Sequence, residues 1–211
     1  MYIPPAFREE DTEKLVAFMR ANSFATLISI KDGIPVASHI PLVVTLQDNI
    51  VKLTSHLAKL NTQWQYFGKN ESLAVFTGPH AYISPTAYEK AENVPTWNYI
   101  AVHAYGIPRI ITRDDSPELM DQMIDQMIDT YGSDYKSQWH SLGDRYRESM
   151  MQGIVGFEMT VTRLQGKYKL SQNRSYSDQA NVAHTLLKSD DPNVQTIGMT
   201  MQQNLAPEEQ L

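Results

Sequence analysis

The 211-residue chain contains no cysteine. Disulfide staples, thiolate zinc sites, iron–sulfur clusters and cysteine nucleophiles are therefore excluded, while the redox compartment stays open. Long apolar runs are missing as well. The most apolar stretch, residues 24–30, is interrupted by Thr26 and Ser29 and is far shorter than the roughly 18 residues a membrane span requires. The opening Met1-Tyr2-Ile3-Pro4-Pro5 has neither the basic region nor the apolar core of a secretory leader. The expected location is the cytoplasm, with no membrane partner. Positive charge is scarce: 18 Lys+Arg against 24 Asp+Glu give a formal charge of −6. A nucleic-acid-binding surface spread over the whole molecule is disfavoured, and a local basic pocket is not.

Familiar motifs are absent too. There is no Walker A, no G-x-G-x-x-G and no G-x-S-x-G. Six histidines stand at 39, 56, 80, 103, 140 and 184. No two share a zinc-ligand spacing, so no metal set is assigned. Ser, His and Asp are scattered in a way that defines no catalytic residue.

What the chain does contain is an ordinary globular mixture, 42% hydrophobic and 20% charged. Its length supports a substantial core without a staple. Asp11 is placed to cap a helix reaching about Ala21. Residues 24–30 read as a strand, and Asp32-Gly33 is the strongest hairpin signal in the chain. Residues 35–45 and 50–54 are expected to follow as strands, giving an antiparallel meander. Leu57, Leu60, Trp64 and Phe67 recur at helical spacing. Residues 72–77 read as a strand broken by Gly78-Pro79, with a brief pairing at 81–83. Residues 97–112 fit two strands bent at Gly106-Ile107-Pro108.

Ser116-Pro117-Glu118 opens a helix whose face runs through Leu119, Met120, Met123, Ile124, Met127, Ile128 and Tyr131. Its period of four reads as a packing face. Strands are expected over 153–162 and 167–170, and helices from Asp178 and from Pro192. The fold class is mainly β with helices (α+β). Short strands with tight turns point to a barrel or sandwich.

Besides residues 76–85, where Gly78 and Pro79 fix a turn with polar side chains clustered around it, three segments concentrate chemistry. At the first, a strand ending near Thr54 and a helix starting near residue 57 would set Thr54, Ser55 and His56 beside free helix amides. Lys59 would add a positive charge in the first turn, which suits a phosphate. A capped helix with a solvated lysine is the plainer alternative. In the second, Trp97, Tyr99, Ala101, His103 and Tyr105 share one strand face, opposite Asn98, Ile100, Val102 and Ala104. That aromatic face suits a planar ligand, a partner or a buried core. In the third, Lys167, Lys169 and Arg174 gather positive charge in an acidic protein. Gln172 and Asn173 offer paired donors and acceptors for a heterocycle edge, unless the segment is simply an exposed basic turn.

Six stretches, in this order, resemble the PaiB family of FMN-binding negative transcriptional regulators. They are Met1-Tyr-Ile-Pro-Pro-Ala-Phe7, Ser38-His-Ile-Pro-Leu42, His56-Leu-Ala-Lys-Leu-Asn61 with Trp64, Phe76-Thr-Gly-Pro-His-Ala-Tyr-Ile-Ser-Pro85, Pro95-Thr-Trp-Asn-Tyr99 with Val102-His103, and Lys169-Leu-Ser-Gln-Asn-Arg174. The resemblance implies an antiparallel split β-barrel of the FMN-binding type over residues 1–175. A helical C-terminal tail, 176–211, would pack on the same domain. It implies FMN as cofactor and a homodimer with the flavin at the subunit interface. By position, Thr54, Ser55, His56 and Lys59 would hold the flavin phosphate. Trp97, Asn98 and Tyr99 would lie near the ring, with Lys169, Gln172 and Asn173 coming from the other subunit.

The function implied is negative transcriptional regulation. No clear helix-turn-helix is present, and the segment from 192 carries no basic recognition face, so direct DNA contact is left open. A flavin-dependent oxidoreductase of the pyridoxamine-phosphate oxidase or flavin reductase type is one alternative. A haem-binding split barrel and a cofactor-free dimeric interaction module are the others.

Overall fold

A computed structural model describes residues 1–205. The chain divides into two compact units. One is built from Met1–Asp11, Thr77–Val102 and the chain from Gln165 onward. The other is built from Thr12–Phe76 and His103–Leu164. Residues 206–211 of the expected C-terminal tail lie outside the described residues.

In chain order the strands are β1 (Arg8–Glu9), β2 (Phe24–Lys31), β3 (Ile34–Pro41), β4 (Val43–Gln47), β5 (Ile50–Ala58), β6 (Ser72–Ile83), β7 (Thr96–Ile111) and β8 (Ile154–Lys169). The helices are α1 (Thr12–Ala21), α2 (Pro117–Tyr131), α3 (Lys136–Ser141), α4 (Asp144–Gln152), α5 (Tyr176–Leu187) and α6 (Pro192–Leu205). The strands form an open antiparallel sheet in the order β3-β2-β6-β7-β8-β5-β4, with β1 paired to β8.

The hairpin at Asp32-Gly33 forms as expected. Lys31 pairs with Ile34, and both turn residues take positive φ, 49° and 83°. That is the two-residue turn whose twist matches paired strands. The meander does not form as expected. The strand anticipated over 35–45 is two strands: β3 pairs with β2, β4 pairs with β5, and the two lie at opposite ends of the sheet order. Pro41 has no N–H to continue a ladder, and Leu42 turns fully inward, its amide bonded to the Ser23 carbonyl at 2.9 Å.

Three other strands are longer than the turn residues suggested. β6 runs straight through Gly78-Pro79, and β7 runs through Gly106-Ile107-Pro108. Gly106 is there because of closeness: a Cβ would collide with the Thr160 carbonyl and the Met159 side chain. β8 joins the two strands expected near 153–162 and 167–170 into one.

The helix expected from residue 57 is absent. β5 extends to Ala58 because Ser55, His56, Leu57 and Ala58 keep pairing with Phe157, Gly156, Val155 and Ile154. Only a short 3₁₀ turn, Thr62–Tyr66, follows, capped by the Asn61 side chain accepting from the Gln63 amide at 3.1 Å.

α2 starts at Pro117 as expected and buries Met120, Met123 and Met127. Gly156 makes room for it. A Cβ there would lie 2.6 Å from Met123 Sδ, so the missing side chain is the notch that seats the helix. Ile111, Met120, Met123 and Met151 form the core beneath.

Candidate functional site

Two clusters of the expected site residues emerge, one in each unit. In the unit containing both termini, β6, β7 and β8 present an exposed aromatic face flanked by cations. Trp97 is 53% exposed and Tyr82 51%. The Trp97 ring lies 5.8 Å from Tyr82 and 5.9 Å from His80. Aromatic surface left in solvent on a strand face is available for contact.

Lys169 lies beside this indole. Its ammonium donates to the Trp97 carbonyl at 2.6 Å and to Thr96 Oγ1. Lys167 is nearly buried, donates to the Tyr2 carbonyl at 3.2 Å and stands 5.1 Å from the Tyr99 ring centroid. Arg174 donates to Asn93 Oδ1 at 2.7 Å and stacks on Tyr88. Among the described residues none of these three cations is paired with a carboxylate. Burial, followed by the charges of Lys167 and Arg174, holds the Lys169 pKa below its ordinary value. Three cations without a carboxylate partner leave a region of positive potential.

The neighbouring candidates have structural duties. Asn98 points to the opposite face and is fully buried. Its amide donates to Ser171 Oγ at 2.9 Å and approaches Met201 Sδ at 3.4 Å, while Oδ1 has no partner. It fastens the turn in which Ser171 takes a φ of +67°. Gln172 is spent on that same turn, accepting from the Leu170 amide and donating to the Tyr168 carbonyl. Asn173 is exposed.

In the other unit, Thr54 and His56 share one face of β5 and Ser55 the opposite one. Ser55 is fully buried and donates to the Pro41 carbonyl at 2.6 Å. His56 is half-buried with Nδ1 3.4 Å from Met127 Sδ, and burial lowers its pKa, favouring the neutral ring. Lys59 is exposed, its amide bonded to the Gly153 carbonyl at 2.9 Å. The free helix amides expected to join these groups are not there, because β5 continues through them.

Sequence reasoning marked residues 76–85 without giving His80 or Tyr82 a role, and it gave none to Tyr2. The signal for His80 and Tyr82 was the alternation along β6, hidden by the break expected at Gly78-Pro79.

A family model described as "Putative FMN-binding domain" matches residues 1–163. The chain belongs to this FMN-binding family. The match takes in Thr54–Lys59, His80, Tyr82 and Trp97–Tyr99 and ends before Lys167. The chain is 38% identical over 206 residues to "Protease synthase and sporulation protein PAI 2" of Bacillus subtilis (strain 168), spanning 97% of this chain and 98% of that one. It is 30% identical over 225 residues to an uncharacterised protein, AN0679, of Emericella nidulans, spanning 86% and 88%. Among solved structures, it resembles the flavocytochrome Anf3 from Azotobacter vinelandii with a TM-score of 0.57 at 13% identity, covering 77% of this chain and 69% of that one. It also resembles an FAD and heme binding protein from Mycobacterium smegmatis, with a TM-score of 0.55 at 14% identity, covering 77% and 73%. At these identities the likeness shows the fold, a split barrel. FMN is the cofactor the family match assigns.

Proposed function

We propose that the chain is a cytoplasmic, homodimeric FMN-binding regulator that lowers transcription of its target genes. The observation carrying the ligand site is Lys169, bonded to the Trp97 carbonyl beside the exposed Trp97 and Tyr82 rings, with Lys167 and Arg174 near enough to lower its pKa. The donor set fits the group: cations suit a phosphate dianion, and exposed rings suit a planar heterocycle. Lys169 and Trp97 would hold the flavin, with Tyr99 and Lys167 behind them. Asn98 and Gln172 would act by fixing the turn that carries Lys169. Thr54, His56 and Lys59 form the second candidate set for the phosphate. When bound, FMN supplies redox chemistry through its ring.

The regulatory reading is supported by the extent of the similarity to the Bacillus subtilis protein, whose name concerns protease synthesis and sporulation. α6 contains no lysine or arginine, which favours control through a ligand or partner over direct reading of DNA. Titrating the purified chain with FMN, followed by flavin fluorescence, tests the ligand. Light scattering with and without FMN tests the dimer. No saturable FMN binding to the wild-type chain would remove the proposal.

A further inference from the structure

Residues 88–95 join β6, which carries Tyr82, to β7, which carries Trp97. Glu89, Lys90, Ala91 and Glu92 are all exposed. Among the described residues, every hydrogen bond that ties this segment to another part of the chain runs to residues 174–178, just beyond Lys169 and Ser171. Ser177 Oγ donates to Glu89 Oε1 at 2.6 Å, and Asp178 Oδ1 accepts from the Glu89 amide at 2.9 Å. Arg174 donates to Asn93 Oδ1 at 2.7 Å, and its guanidinium lies 4.4 Å from the centroid of the Tyr88 ring. All of these residues belong to one compact unit.

Arg174 thus stands between two claims. Its charge is felt at Lys169, yet its guanidinium is engaged by a neutral amide oxygen and a ring face. A phosphate oxygen offers a guanidinium the opposite charge, which an amide oxygen does not. The engaged state also has an internal weakness. The Tyr88 hydroxyl is buried without a hydrogen-bond partner, and a buried group left in that condition destabilises the arrangement that holds it. The segment carries Glu89 and Glu92 against the single Lys90, so its own charge opposes an arriving anion.

We propose that residues 88–95 form a strap latched by Arg174, and that a phosphate monoester taken up at Lys169 draws Arg174 away and frees the strap. The proposal rests on the placement of the flavin phosphate at Lys169 and adds a regulation to it: exposure of the strap reports whether the phosphate is bound. The latch also weakens binding, because only molecules with Arg174 free offer the complete anchor.

The test is limited digestion of the full-length chain with a lysine-specific protease, with cleavage after Lys90 scored from the fragment masses. Flavin fluorescence follows FMN binding in parallel. Without ligand, Arg174→Met should speed this cleavage roughly tenfold, because cleavage tracks the population of the open strap. Saturating FMN should speed it about fivefold or more in the wild type and by less than about twofold in Arg174→Met, where the strap is already free. Riboflavin has the ring without the phosphate and should leave the rate unchanged. Asn93→Ala removes one side of the latch from outside the sheet, and it should lower the Kd for FMN by about threefold. Saturable FMN binding without faster cleavage at Lys90 overturns the latch, as does equal acceleration by riboflavin. A folded Arg174→Met chain cut no faster than wild type overturns it too. Unchanged or weaker FMN binding by Asn93→Ala overturns it even where Arg174→Met does not fold. No saturable FMN binding to the wild type removes the flavin reading and the release step with it, an outcome that fluorescence separates from failure of the latch alone.

Discussion

Replacing Lys169 by methionine removes one ammonium from the basic trio while keeping an unbranched apolar stem. In the wild type that ammonium is held 2.6 Å from the Trp97 carbonyl, with its pKa lowered by burial and by Lys167 and Arg174. The mutual repulsion of three cations is relieved when a dianionic phosphate enters. A charge-assisted hydrogen bond contributes about 1.5–3 kcal/mol net, so the Kd for FMN should rise by about 10- to 150-fold. The Trp97 carbonyl loses a donor, but it lies at an exposed residue where water replaces the bond. The assay is flavin fluorescence titration at two ionic strengths. Salt should weaken the wild type more than the variant, because one screened attraction has gone. Raising the pH should loosen FMN from the wild type below the ordinary lysine range, since deprotonation of Lys169 sets in early. A folded variant whose Kd lies within about twofold of wild type would refute the electrostatic argument.

Two further predictions concern the sheet. Gly106→Ala drives a methyl into the backbone carbonyl of Thr160, whereas Gly156→Ala meets the flexible end of Met123. Denaturant unfolding should show a loss of about 2–4 kcal/mol for the first and about 1–2 kcal/mol for the second; the reverse order would mean that the β7–β8 spacing is misjudged. Burial raises the Glu158 pKa, but hydrogen bonds from Arg109 and Lys52 outweigh it and hold the carboxyl below its usual value. Its contribution is therefore present above the unfolded-state value and lost as pH falls through the folded one. Glu158→Gln should be less stable than wild type at pH 7, with the gap closing below about pH 4; a gap that persists in acid would contradict the pairing.

The sequence was most legible where one local rule acted alone. Asp32-Gly33 fixed a hairpin because two positive-φ residues in tandem have few other uses. Pro117 and the methionine period gave α2 for the same reason. Legibility failed where partners remote in sequence decided the outcome. Leu57, Leu60, Trp64 and Phe67 keep helical spacing, yet pairing with β8 draws residues 55–58 into a strand. Gly78-Pro79 and Gly106-Ile107-Pro108 read as breaks, but the sheet carries β6 and β7 through them. The helices over 136–152 gave no strong signal, because α4 has no buried stripe beyond Met151. Of the candidate site, Trp97, Tyr99 and Lys169 followed from alternation and charge. The inward turn of Asn98 and the spent amide of Gln172 depend on Ser171, Met201 and the turn backbone, which no spacing rule reveals.

The loss of the expected helix also changes which lysine should matter more for the phosphate. Lys59 was attractive because a helix N-terminus would have stood beside it, adding free amides and a favourable dipole. With β5 extended, its backbone amide is already bonded to Gly153, and its ammonium stands exposed in a solvent that screens it. An exposed single charge is worth at most about 1 kcal/mol, or about fivefold in Kd. Lys169 has two like charges beside it and a partly buried position, so water competes less well for its anion. Measured side by side by FMN titration, Lys59→Ala should therefore raise the Kd by less than Lys169→Met. The opposite ranking would return the phosphate to the end of β5 and leave Lys167, Lys169 and Arg174 serving the turn at Ser171 instead of the ligand.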